Sequence, residues 1–233
     1  MTPLVEARDL GFRHPGTEKP AFSGVSFSLR PGELLLLCGC NGSGKSSLLE
    51  VLAGLHDGRT GELSLFGGRI PEGQVPPRKT RQRLGLLLQN ADMQIFGDTV
   101  EEDLALGLSA DEAAHGPDLA ARLGLPAPAT RVSSLSYGQK RKLCLATALL
   151  RRPEILLLDE PQSGLDYPAL KEFAGILGDL LRSGTALILA THDPEPFLPL
   201  AANLLFLRPN GAPRYGSPDD LRPLAEEYGI RPW

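Results

Sequence analysis

Residues 33–55, "ELLLLCGCNGSGKSSLLEVLAGL", decide the fold. The stretch begins with a continuous apolar run, which is typical of a strand buried on both faces of a parallel sheet. After a short loop, apolar side chains recur at helical spacing at Leu48, Leu49, Leu52 and Leu55. The stretch therefore predicts a buried strand, a glycine-rich loop and a helix in direct succession.

The loop "GCNGSGKS" fits the pattern G-x-x-x-x-G-K-[ST]. Backbone N–H groups of such a P-loop can wrap closely around phosphates, and the helix N-terminus adds positive potential. Lys45 is expected to reach the β- and γ-phosphates and Ser46 to ligate Mg²⁺, with Ser47 as the alternative metal ligand. The pattern predicts a nucleoside triphosphate site. Its predicted binding residues are Gly39, Asn41, Gly42, Ser43, Gly44, Lys45, Ser46 and Ser47.

Two later apolar strands end in further candidate residues. "ILLLDE" ends in Asp159 and Glu160, and strand alternation predicts that these carboxylates point to different sides and differ in role. Asp159 is expected to orient Mg²⁺ through water, and Glu160 to polarise the attacking water as a general base. "TALILATHD" places His192 at the carboxyl end of another strand, where parallel sheets bind ligands, so we expect it to meet the γ-phosphate.

The composition indicates an ordinary globular protein. The chain has 233 residues, is 42% hydrophobic and 22% charged, and carries a net charge of −4, which disfavours nucleic acid as a partner. Its three cysteines, Cys38, Cys40 and Cys144, form neither a disulfide framework nor a zinc site and indicate a cytosolic protein. We expect no signal peptide and no membrane span, because the apolar runs are too short.

The distribution of patterns predicts an α/β fold with a mostly parallel sheet, an N-terminal antiparallel β subdomain and a helical insertion. We expect one domain over 1–233, with a catalytic core at about 1–90 and 151–233 and a helical subdomain at about 91–150. Residues 71–83, "PEGQVPPRKTRQR", are predicted as a solvated loop. Within the insertion, "LSYGQ" at 135–139 by itself indicates only a helix N-cap at Ser136.

Six motifs occur in a characteristic order: "GCNGSGKS", "LLLQN", "LSYGQ", "ILLLDE", "SGLD" and "ATHD". This set resembles the nucleotide-binding subunits of ABC (ATP-binding cassette) transporters over essentially the whole chain, and "LSYGQ" is similar to their LSGGQ signature. The resemblance implies that the chain binds ATP and Mg²⁺ and hydrolyses ATP. It also implies a head-to-tail dimer, in which Ser136, Gly138 and Gln139 close over the ATP of a second subunit.

The same resemblance assigns roles to residues outside the P-loop. Gln89 would sense Mg²⁺ and the attacking water, and Asp166 would lie at the dimer seam. "FRHP" stands where the family has FxYP, so His14 is expected to stack on adenine, with Phe12 as the alternative.

Three positions depart from the family pattern. Tyr137 replaces a glycine of the signature. Gln162 replaces a threonine, and the sequence suggests no consequence of this second change. Cys40 replaces a proline; its amide could help to hold phosphate, and its thiol is either reactive or an inert small group.

"QNADMQIFGDTVEEDLALG" resembles the same region of energy-coupling factor importers, cobalt and nickel relatives included. This implies a pair of ATPases, identical or paralogous, at the inner face of the cell membrane, driving membrane subunits that import a vitamin or a metal ion. Coupling helices would dock near residues 89–103, with Met93, Ile95 and Phe96 either as an apolar floor or as core.

Two alternatives stay open, namely another type of ABC transporter and a soluble ABC ATPase that remodels nucleic acid or ribosomes. The second class usually has two cassettes or a long coiled coil, which this sequence lacks. After "SPDDLRPLAEEYGIRPW" we expect no regulatory domain.

Overall fold

The computed structural model describes residues 2–230, which form an α/β fold with two sheets. The strands are β1 (Val5–Phe12), β2 (Phe22–Leu29), β3 (Leu34–Cys38), β4 (Thr60–Leu65), β5 (Gly68–Ile70), β6 (Leu84–Leu87), β7 (Ile155–Asp159), β8 (Ala186–Thr191), β9 (Asn203–Phe206) and β10 (Arg214–Gly216). The α-helices are α1 (Lys45–Ala53), α2 (Arg78–Arg81), α3 (Val100–Ala105), α4 (Ala110–Ala113), α5 (Gly116–Arg122), α6 (Tyr137–Leu150), α7 (Tyr167–Arg182) and α8 (Leu221–Leu224). The predicted fold class is confirmed.

The larger sheet has the strand order β10-β9-β3-β8-β7-β6. Its strands run parallel except for β10, which pairs antiparallel with β9. Every residue of β3, β7 and β8 is buried, because elements cover both faces of the sheet. The loops that follow these three neighbouring strands therefore leave the sheet at one edge.

The core is divided by this sheet into two apolar clusters. Alternate residues of β3 face different clusters. Leu34 and Leu36 belong to the first cluster, and Leu35 and Leu37 belong to the second. The first cluster contains residues of α6 and α7. The second contains residues of α1 and of the antiparallel sheet β2-β1-β4-β5, so the β subdomain and the helix after the P-loop share one core.

The helical insertion lies between β6 and β7, which are hydrogen-bonded neighbours in the sheet. Its segment before α3 is held by Asp103, a buried carboxylate that accepts the backbone N–H groups of Phe96 (2.8 Å) and Gly97 (3.1 Å). Capping boxes begin α3, α4 and α6, the last at Ser136 as predicted. The insertion thus contains three helices that each begin with their own capping box, the longest being α6.

Two details of the prediction were wrong or incomplete. The loop predicted at 71–83 contains a helical turn at Arg78–Arg81, although no residue of that turn is buried. β9 and β10 were not predicted as strands, and they form one edge of the parallel sheet. Among residues 2–230, no helix has the length and apolar character needed to cross a bilayer.

Candidate nucleotide-binding site

A cleft of about 470 Å³ lies beside the P-loop, at the edge of the sheet where β3 and β7 end. It brings together residues predicted from four separate parts of the sequence. Its lining residues are His14, Ala21, Asn41, Gly42, Ser43, Gly44, Lys45, Ser46, Ser47, Gln89 and Glu160. Gly39 lies at the base of the loop, next to the end of β3.

The P-loop depends on glycines that no other residue can replace without strain. Gly44 has φ +95°, and a Cβ added there would lie 2.3 Å from the carbonyl oxygen of Ala21. At Gly39, a Cβ would lie 2.1 Å from the carbonyl oxygen of Leu207. The loop is therefore pressed against neighbouring backbone on two sides.

Lys45 lies inside the curve of the loop. Its Nζ donates hydrogen bonds to the carbonyl oxygens of Gly39 (2.8 Å) and Cys40 (3.1 Å) and lies 3.9 Å from Oε1 of Glu160. Burial lowers the pKa of Lys45, and the nearby charges of Glu160 and Asp159 oppose that shift. The geometry presents one buried cation to the cleft.

Two buried polar atoms near Lys45 have no hydrogen-bond partner within residues 2–230: the Ser43 hydroxyl oxygen and Oδ1 of Asp159. Unpaired buried polar atoms are costly, so both fit a site that receives a polar ligand. The Ser46 hydroxyl lies close enough to Asp159 to favour the ionised form of that carboxyl and so to lower its pKa, although burial outweighs it. Hydroxyl and carboxylate oxygens side by side are ligands that Mg²⁺ prefers.

Asp159 and Glu160 both approach the P-loop, so the divergence predicted from strand alternation was wrong. β7 ends at Asp159, and Glu160 has φ +45°, outside the extended conformation that alternation requires. They still differ in their neighbours, since Asp159 lies near the Ser46 hydroxyl and Glu160 faces Lys45. Burial raises the pKa of Asp159; the Ser46 hydroxyl opposes this shift and the charge of Glu160 adds to it.

The carboxylate of Glu160 is held by two donors. Its Oε2 accepts hydrogen bonds from Nδ1 of His192 (2.8 Å) and from Nε2 of Gln162 (2.7 Å). Its backbone is fixed by Ala190, which accepts the N–H at 2.9 Å, and by Arg141, which donates to the carbonyl at 2.9 Å. The structure therefore joins Glu160 to His192 across the neighbouring ends of β7 and β8, a contact that the sequence did not predict.

His14 rather than Phe12 lines the cleft. Its Nε2 is hydrogen-bonded to the Ser47 hydroxyl at 2.9 Å, and its ring packs edge-on against Phe12 and His56. Phe12 is buried in the core, and its ring contacts the ring of His14 at a centroid distance of 4.8 Å. Only His14 of the two predicted candidates presents a ring to the cleft.

The predicted signature residues Ser136, Gly138 and Gln139 do not line this cleft. Ser136 is exposed at the start of α6 and accepts the backbone N–H of Gln139 at 3.2 Å. Asp166 is also exposed, at the start of α7, where it accepts the N–H of Ala169 at 3.0 Å.

Tyr137 connects the signature to two other loops. Its hydroxyl donates to the carbonyl oxygen of Gln89 at 3.1 Å, and its ring lies against Gly164. Arg141 was missed by the sequence analysis, because "QKRK" looks like a solvated basic turn. It is fully buried, and its guanidinium bonds the carbonyl oxygens of Leu88 and Glu160.

Of the three cysteines, only Cys40 is hydrogen-bonded to a residue of the cleft, through its carbonyl oxygen, which accepts from Lys45. Burial raises the pKa of Cys38 and of Cys144 to about 12, so both thiols stay protonated. The suggestion that the Cys40 amide holds phosphate was wrong, because that N–H donates to the carbonyl oxygen of Tyr228 at 3.1 Å.

A glycine-rich loop between a buried strand and a helix, with a buried lysine and a hydroxyl–carboxylate pair beside it, defines a P-loop nucleoside triphosphate-binding protein. The ABC transporter family profile matches residues 22–163, more than half of the chain. The chain therefore belongs to the ABC transporter family, and it is an ATP-binding protein and an ATPase.

Several relatives have names that refer to cobalt import or to energy-coupling factor transport. The cobalt import ATP-binding protein CbiO of Rhodobacter capsulatus is 38% identical over 89% of this chain and 76% of its own length. The energy-coupling factor transporter ATP-binding protein EcfA of Methanosphaera stadtmanae is 34% identical over 84% of this chain and 72% of its own. The solved structure of cbiO1 from Clostridium perfringens, part of the ABC transporter complex cbiONQ, superposes with a TM-score of 0.81 at 25% identity, covering 99% and 94% of the two chains.

Two glycines of the P-loop form a matched pair for a stability test. Gly44→Ala is expected to lower the free energy of unfolding by about 2–5 kcal/mol, since it adds a backbone clash to the cost of a left-handed alanine. Gly42 has φ +77° with nothing within 4 Å of an added Cβ, so Gly42→Ala should lose only about 1–2 kcal/mol. Urea unfolding of the nucleotide-free protein measures both. Equal losses would contradict the role given to the Ala21 contact.

Proposed function

We propose that this chain is the ATPase of an energy-coupling factor type importer. Two copies, or one copy and a paralogue, bind ATP between them head to tail and drive membrane subunits that import a micronutrient. The observation that carries the proposal is an exposed apolar surface on the segment that follows Gln89. The relatives support it, since their names refer to cobalt import and to energy-coupling factor transport.

The contacts around the cleft support the following roles for the predicted site residues. Lys45 and the P-loop amides would bind the triphosphate, and His14 would stack on adenine. Ser46, Asp159 and Gln89 would hold Mg²⁺, which neutralises charge on the β- and γ-phosphates when bound. The water that attacks the γ-phosphate would lose its proton to Glu160, with His192 beside the same phosphate.

The signature residues would serve the partner subunit. Ser136, Gly138 and Gln139 lie at the start of a 14-residue helix, where N–H groups and the helix dipole attract phosphate. They lie outside the cleft of their own chain, and Ser136 is exposed. A second subunit, placed head to tail with its cleft facing α6, would use them, with Asp166 at the seam.

The surface near residues 89–103 fits a membrane partner. Met93 is 66% and Phe96 is 75% exposed, so core packing is the wrong reading for both, whereas Ile95 packs partly on the core. A groove of about 650 Å³, here called the docking groove, is lined by residues 92, 95–99 and 131–133. Exposed large apolar side chains around a concave surface indicate an interaction site.

ATP would act through the difference between its affinity for the closed arrangement of the two ATPase subunits and its affinity for the open arrangement. A ligand shifts a conformational equilibrium only by that difference. Tyr137 and Arg141 join α6 to the backbone of Leu88 and Gln89, directly before the docking groove. Closure over ATP would therefore move the groove and its membrane partner together, with the chain peripheral on the inner face of the membrane.

Phe96→Asp tests this proposal. The tagged chain, expressed in its own host and purified from detergent-solubilised membranes, should bring down integral membrane polypeptides in fixed stoichiometry. Phe96→Asp should lose them almost completely, because it removes the exposed ring and adds a carboxylate to a groove that already contains Asp92 and Asp98. ATP hydrolysis by the isolated variant should stay within about twofold of wild type, because surface substitutions away from the site have small effects.

Leu55→Asp is the matched control, because Leu55 is 56% exposed and lies outside the docking groove. It should retain the membrane polypeptides. Equal loss in both variants, or a wild-type chain that copurifies with none, would contradict the docking surface. ATPase activity stimulated by nucleic acid would instead favour a remodelling ATPase.

A further inference from the structure

Gln162 links the two strand ends that carry Glu160 and His192. Its side chain is only 9% exposed, and Nε2 donates to Oε2 of Glu160 (2.7 Å) and to the hydroxyl of Thr191 (2.6 Å). Thr191 is the last residue of β8 and directly precedes His192. One buried amide therefore spans the gap between the ends of β7 and β8.

The orientation of this amide follows from the chemistry of its neighbours. An ionised carboxylate only accepts hydrogen bonds, so the NH₂ group of Gln162 has to face Glu160. The Thr191 hydroxyl donates its proton to the carbonyl oxygen of Asp193 (3.0 Å) and is left to accept from Gln162. Both N–H groups of the amide are used, and a threonine at this position would have at most one donor.

The two oxygens of Glu160 consequently have different surroundings. Oε2 accepts from Gln162 and His192, whereas Oε1 faces the P-loop at 3.9 Å from Nζ of Lys45. His192 is 54% exposed and is expected to turn toward the γ-phosphate. The buried Gln162 is the donor that can stay on Oε2 throughout the reaction.

We propose that Gln162 is a positioning residue for ATP hydrolysis: its amide holds Oε2 of Glu160 so that Oε1 faces the P-loop cleft and accepts the proton of the attacking water. This inference rests on the proposed role of Glu160 as general base. Gln162 does not line the cleft, so it would act through that carboxylate. It should therefore affect turnover and leave ATP binding unchanged.

Gln162→Met is the first variant, because methionine has a similar length and unbranched shape but no N–H group. We expect kcat to fall by about tenfold or more, as for the loss of a hydrogen bond to a charged group. The dissociation constant for Mg-ATP, measured by equilibrium titration, should stay within about twofold. Gln162→Leu also lacks a donor and should lose as much turnover, so the comparison survives if the methionine variant folds poorly.

A double variant separates positioning from a general structural effect. In the Glu160→Gln background, Gln162→Met should change the residual turnover by less than about twofold, because the carboxylate it positions is absent. The same fold loss in both backgrounds, a rise in the dissociation constant with kcat retained, or unchanged kcat in Gln162→Met would each overturn the inference.

The failure of the proposed function is distinguishable from the failure of this inference. Normal turnover in Glu160→Gln would remove Glu160 as the base, and the role of Gln162 with it. A large loss in Glu160→Gln together with full activity in Gln162→Met would leave the base in place and overturn the positioning role alone.

Discussion

Glu160→Gln is expected to bind Mg-ATP with wild-type affinity and to hydrolyse it about 10²–10⁴-fold more slowly. The amide has the shape of the carboxylate but cannot take a proton from water. The buried residue faces Lys45 and is held by His192 and Gln162, so the substitution changes the acid–base chemistry more than the packing. Single-turnover hydrolysis and equilibrium binding measure the two quantities separately. Turnover at the wild-type rate would exclude Glu160 as the base.

The same variant should form a dimer that depends on ATP, because unhydrolysed ATP keeps the two subunits closed. Size exclusion with light scattering should show a dimer in Mg-ATP and a monomer in Mg-ADP. Adding Ser136→Asp should abolish the dimer: aspartate retains the N-cap of α6 but places a negative charge against the partner's phosphates. A monomer in both nucleotides, with ATP binding verified, would mean that a paralogue or the membrane subunits are needed.

The parts of the site that the sequence predicted correctly are those that local pattern determines. A strand buried on both faces, a loop whose glycines take positive φ, and a helix with an apolar stripe follow one another within residues 33–55. Glu160 was predicted from the two carboxylates that end an apolar strand, and His192 from the rule that ligands bind at the carboxyl ends of parallel strands. Their contact at 2.8 Å needs only that β7 and β8 be neighbours.

The parts that the sequence did not predict depend on residues far apart in the chain. Gln162 meets Thr191, 29 positions away, and Tyr137 meets Gln89, 48 positions away, and both contacts depend on the order of the strands. His14 was chosen over Phe12 from the family pattern alone; the irregular pairing near the end of β1, which places Phe12 in the core, could not be predicted from the sequence. Such irregularities have no signature in the alternation of apolar residues.

Lys45→Met is expected to weaken Mg-ATP binding by about 100-fold, the second large effect at this site. The variant loses a buried cation that the loop directs toward the phosphates, and charge-assisted hydrogen bonds are about twice as strong as neutral ones. In the nucleotide-free protein, Nζ is satisfied by the carbonyl oxygens of Gly39 and Cys40. Burial also lowers the pKa of Lys45, so the ammonium group has a cost that bound phosphates compensate.

Thermal unfolding and nucleotide titration together test this account of Lys45. Without nucleotide, Lys45→Met should be less stable than wild type, because it removes one partner of the buried Lys45–Glu160 pair and leaves the carbonyl oxygens of Gly39 and Cys40 without this donor. Stabilisation of the wild type by Mg-ATP should be largely absent in the variant, since a ligand stabilises only the folded state it binds. Glu160→Gln, which keeps Lys45, should be stabilised like wild type. Equal stabilisation of Lys45→Met by Mg-ATP would show that the loop amides bind the triphosphate without the lysine.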